Sequence, residues 1–135
     1  MEKRIIVGDV EEIDGIRVVQ DYGLIMEAIK NKETVYHWEW GNSLAPLINN
    51  GEFCKIEPCA PIDVKRGDAV FCVLYDKFAM VHLVLEISRC GYNGELWFKI
   101  GSTDGEVYGW TQDVYGIARG TNIFHTEVEG KKAYC

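Results

Sequence analysis

Residues 68–88 read DAVFCVLYDKFAMVHLVLEIS, and this stretch decides the fold. Residues 68–75 are apolar at both parities, the pattern of a strand covered on its two faces. Asp76-Lys77 reads as a two-residue hairpin loop. The chain returns with Ala79, Val81, Leu83, Leu85 and Ile87 on one face. Phe78, Met80, His82, Val84 and Glu86 lie on the other, because strand side chains alternate. Working outward, TVYHWEW (34–40) is a strand with Val35, His37 and Glu39 on one face and Tyr36, Trp38 and Trp40 on the other. EFCKIEP (52–58), ELWFKI (95–100), stretches near 107–110 and 113–119, and NIFHTEV (122–128) are further strands. RIIV (4–7) and IRVVQ (16–20) are short β-branched runs around the acidic turn EEIDG. Only YGLIMEAIKNK carries a sustained helical repeat, with Leu24, Ile25, Ala28 and Ile29 forming a core-facing stripe. LAPLINN reads as a short helix with Pro46 in its first turn, closed at Gly51. The predicted fold is therefore mainly β, with several coiled short sheets in a barrel-like arrangement and one N-terminal amphipathic helix.

A chain of 135 residues has room for one core. Residues 1–40 are expected to pack as strands and a helix on the domain formed by 41–135. The net charge is −7, with −4 from residues 1–40 and −3 from the rest. Affinity for nucleic acids rests on neutralising phosphates, and no basic half exists here to do so. Nucleic acid is therefore not an expected partner. No uninterrupted apolar run approaches the length of a membrane span, and the acid-studded N-terminus is not an export signal, so no membrane partner is expected either. The five cysteines (54, 59, 72, 90 and 135) include no C-x-x-C pair. Free thiols in a reducing cytoplasm are the reading, with no metal site and no cofactor.

Two residues stand out chemically. Ser43 follows a strand directly, in a sharp turn between Gly41 and Pro46. A nucleophilic serine needs such a rigid, exposed place with free backbone N–H groups nearby. His82 interrupts an otherwise apolar strand, where a general base of near-neutral pKa would sit. Taken singly, each also reads as an ordinary turn serine or a hydrogen-bonded strand histidine.

Their setting is more telling. The chain runs GNSLAPLINNGEFCKIEP (41–58), VKRGDAVFCVLY (64–75), MVHLVLEI (80–87), WFKIGSTD (97–104) and WTQDVYGIARG (110–120). This order resembles the signal peptidase and LexA-like serine peptidase superfamily. That superfamily has a G-x-S-M-x-P turn, a V-x-x-G-D turn into a strand, a strand bearing the base, a Gly-Asp loop and a closing strand. The resemblance spans about 41–120. MVHLV is similar to the V-H-R-V strand of the histidine branch, the archaeal and endoplasmic-reticulum signal peptidases. Lys77 falls in the hairpin turn, not at the base position of the lysine branch.

The resemblance implies Ser43 as nucleophile, His82 as general base and the Ser43 amide as oxyanion donor. Asn42 helps at the oxyanion, and Asn42, Leu44 and Pro46 form the substrate-binding turn. Three positions depart from the pattern: Leu44 replaces Met, Leu83 replaces Arg, and Ser102 stands where the Gly-Asp acid belongs. The acid is displaced to Asp104, which is expected to orient the imidazole unless Asp113 does so or no acid does. The implied activity is hydrolysis of a peptide or protein segment bound as an extended strand, without a membrane anchor. A phage or mobile-element protein is among the expected substrates. The alternatives are a catalytically inactive module of the same fold and a self-cleaving regulator. Such regulators cut an Ala-Gly or Cys-Gly bond in their own N-terminal arm, and residues 1–40 contain neither dipeptide. Oligomeric state is left open.

Overall fold

Hydrophobic alternation and turn chemistry generate nine strands and one helix in the computed structural model, which describes residues 12–90 and 94–124. β1 (Glu12–Ile13) and β2 (Ile16–Arg17) pair about Asp14-Gly15, both at positive φ (52° and 80°). The expected 16–20 strand is thus shorter, and Glu12 and Ile13 of EEIDG belong to the ladder. The 4–7 run lies outside the described residues. α1 (Tyr22–Lys30) begins where Asp21 caps it, a side-chain oxygen accepting the Leu24 N–H at 3.0 Å. It buries Ile25, Ala28 and Ile29, and each isoleucine contributes about 2 kcal/mol by leaving water. Leu24, assigned to the same stripe, is 51% exposed.

Then follow β3 (Val35–Trp38), β4 (Glu52–Pro58), β5 (Ala69–Leu74), β6 (Phe78–Cys90), β7 (Glu95–Gly101), β8 (Val107–Thr111) and β9 (Val114–Phe124). They form one antiparallel sheet in the order β3-β4-β9-β5-β6-β7-β8. The fold is mainly β with one helix. Among the described residues no ladder joins β3 to β8, so the sheet is not a closed barrel.

β5 is the interior strand its composition requires. Ala69 and Phe71 enter a cluster with Ile25, Val35, Cys54, Ile56 and Val81, on the α1 face. Val70, Cys72 and Leu74 enter a second cluster with Val84, Phe98, Ile100 and Val114. Burial pushes the Cys72 thiol up to about 12. The β5–β6 loop has three residues, not two. Leu74 pairs with Phe78, and Tyr75 and Asp76 both take φ near 56° to turn the chain. LAPLINN is not a helix but a run of turns with a cis Ala45–Pro46 peptide. The two strands expected at 113–119 and 122–128 are one strand to Phe124, paired first with β5 and then with β4. Residues 125–128 lie outside the described residues.

Candidate active site

The turn between β3 and β4 is anchored at both ends and from beneath. Glu39 N–H donates to Glu52 O at 2.9 Å and Gly51 N–H donates to Glu39 O at 2.7 Å, closing its base. The buried Glu52 carboxylate accepts the Asn49 N–H at 2.9 Å and the Asn122 N–H at 2.6 Å, tying the turn to the end of β9. Leu44 and Ile48 are 1% and 0% exposed and plug the turn into the α1-side cluster. Beside them Ser43 is held half-buried. Its N–H has no hydrogen-bond partner among the described residues, which leaves it available to an oxyanion.

His82 is opposite Val70 in the β5–β6 ladder, within the 13-residue strand β6. Its Nδ1 lies 3.4 Å from Ser43 Oγ, across 39 residues of sequence. That is a loose contact of the kind found in ligand-free catalytic sites. For Nδ1 to accept the Ser43 proton, Nε2 carries the ring hydrogen. Burial lowers the His82 pKa below the usual 6.5, with a nearby Glu106 carboxylate working in the opposite direction. The imidazole is therefore neutral at pH 7, the form a base requires.

The loop between β7 and β8 connects the two halves. Ser102 is 2% exposed; its N–H donates to Glu106 O at 2.9 Å, and its Oγ accepts the Glu106 N–H at 3.1 Å. Thr103 N–H donates to Ser43 O at 2.8 Å, and its hydroxyl donates to Ala45 O at 2.7 Å. The serine turn is thereby fastened to the loop. Tyr108, on β8, packs its ring against His82 with centroids 4.7 Å apart, and its phenol donates to Glu106 Oε1 at 3.2 Å.

The expected acid is elsewhere. Asp104 is exposed and its carboxylate accepts the Ser102 hydroxyl, which holds it below the usual carboxylate range. Two residues beyond the family position, within a loop closed on Ser102, it satisfies that loop, and among the described residues no hydrogen bond joins it to His82. Asp113 is also apart: it lines a cavity of about 370 Å³ with Tyr75, Trp97 and Trp110. Among the described residues no carboxylate hydrogen-bonds His82.

The substrate-turn residues divide. Asn42 and Pro46 are exposed beside Ser43. Leu44 is a core residue: the turn needs an apolar anchor, and its side chain provides it. Tyr108 and Glu106 escaped sequence reasoning altogether. No cluster of three or more potential metal ligands occurs among the described residues, and among them no helix is long and apolar enough to cross a membrane. Comparison of the chain with protein-family models, with curated proteins and with solved structures found no match.

Proposed function

We propose that the chain is a serine endopeptidase of signal-peptidase-like, barrel-related type, with Ser43 as nucleophile and His82 as general base. The approach of Ser43 Oγ to His82 Nδ1, from two elements 39 residues apart in the chain, carries this reading. In the reaction the Ser43 proton passes to Nδ1 as Oγ attacks a peptide carbonyl, and the Ser43 N–H receives the developing oxyanion. The imidazolium returns the proton to the leaving amine. Water, deprotonated by the same imidazole, then releases the acyl group. The substrate is a peptide or protein segment in extended form, a phage or mobile-element protein being one source. The setting is the cytoplasm, with no cofactor. A second reading, a non-catalytic module of this fold, is favoured by one observation: among the described residues no carboxylate hydrogen-bonds His82.

The test is hydrolysis of a mixed peptide pool followed by mass spectrometry, then kcat/KM against pH on the best substrate. Neutral His82 accepts the proton and protonated His82 does not, so the rate rises with pH. Because burial lowers the pKa, the single limb should have its midpoint below about 6.5. No cleavage at any pH, or a limb near 9, contradicts the proposal.

A further inference from the structure

A serine–histidine pair loses rate when nothing holds the ring or stabilises the imidazolium. Asp104 does neither here, since its carboxylate is engaged by Ser102. The groups around His82 are few. Ser43 approaches from the turn after β3, and Val70 opposite it on β5 is apolar. Tyr108 comes from β8, and Glu106 from the β7–β8 loop is the one carboxylate whose charge is felt at the ring. Lys77, in the hairpin, is turned onto Phe78, 5.5 Å from that ring's centre.

We propose that Tyr108 and Glu106 are the positioning residues for the His82 imidazole, replacing the acid that the Gly101–Asp104 segment does not supply. This rests on the reading of His82 as the base. The Tyr108 ring lies 4.7 Å from the imidazole centroid at an interplanar angle of 51°, which restricts rotation and keeps Nδ1 towards Ser43. Tyr108 is itself held twice: its phenol donates to Glu106 Oε1, and its carbonyl accepts the Tyr75 hydroxyl at 3.2 Å. Glu106 is fixed through its backbone, with both its N–H and its C=O bonded to Ser102. The carboxylate is therefore presented from a defined backbone site. When His82 takes the Ser43 proton, this charge favours the imidazolium.

The experiment is titration of His82 by NMR in ¹⁵N-labelled protein, assigned against His82→Ala, beside kcat and KM on the same variants. In Glu106→Gln the His82 midpoint should fall by about half a unit at low salt, and the difference should at least halve in 0.5 M NaCl, because Glu106 is exposed. kcat should fall about tenfold with KM changed less than about threefold, as for an interaction strongest in the transition state. Tyr108→Phe keeps the ring but releases the Glu106 carboxylate, and should move the midpoint in the same direction. Tyr108→Leu should lower kcat about tenfold through the lost ring contact. A His82 midpoint identical in wild type and Glu106→Gln at low salt overturns the proposal. The titration needs no turnover, so the two failures separate: a shifted midpoint in a protein that cleaves nothing defeats the peptidase reading alone. An unshifted midpoint in an active protein defeats the positioning role alone.

Discussion

Ser43→Ala and His82→Ala should each lower kcat by about four orders of magnitude or more, and the double variant should lose little beyond either single one. The hydroxyl and the imidazole perform one proton transfer between them, so removing either partner removes the step. KM should change much less, because neither group is needed to bind an extended segment. The fold should survive both changes. Ser43 is half-buried, its side chain reaching His82 while its carbonyl, which accepts from Thr103, is unaffected by the substitution. Urea unfolding of Ser43→Ala should accordingly match wild type within about 0.5 kcal/mol. Activity retained in Ser43→Ala would show that the chemistry lies elsewhere.

Gly101→Ala should damage both stability and activity. Gly101 ends β7, where the β7–β8 ladder shifts register. A Cβ there would overlap the Glu106 carbonyl oxygen and crowd Leu85. Backbone does not yield as a flexible side chain does, so the loop must open. The Ser102 N–H to Glu106 O bond then stretches, and with it the anchorage of Thr103 to the serine turn. Overpacking of this kind costs about 1–3 kcal/mol, to be read as a lower urea midpoint. kcat should fall at least tenfold at temperatures where the variant is still folded, since the serine turn is fastened to this loop. Wild-type stability and rate in Gly101→Ala would contradict this account of the loop.

What was legible in the sequence, and what was not, follows from the range of the interactions. β5 and β6 could be read because alternation is a local signal and both faces of β5 are in fact covered. The nearness of Ser43 and His82 was expected from the order of motifs, although no local rule joins residues 39 apart. The anchoring of the serine turn had a local signal: Leu44 and Ile48 are an apolar pair four residues apart, and both are buried. The single strand β9 was divided at Gly120-Thr121, where the hydrophobic pattern breaks. There the Thr121 hydroxyl donates to Phe53 O at 2.6 Å, and Asn122 continues at φ 62°. Tyr108 and Glu106 left no trace in the sequence. Their relation to His82 depends on the register of β7 with β8 and on a loop folded about Ser102, both products of tertiary pairing.

The most direct measurement of the central claim is reaction of the intact protein with a fluorophosphonate, read by whole-protein mass and then by peptide mapping. An assembled Ser43–His82 pair predicts one adduct, located on Ser43, formed faster as pH rises through the His82 limb and absent in His82→Ala. An unlabelled wild-type protein, or a label on another residue, would contradict it.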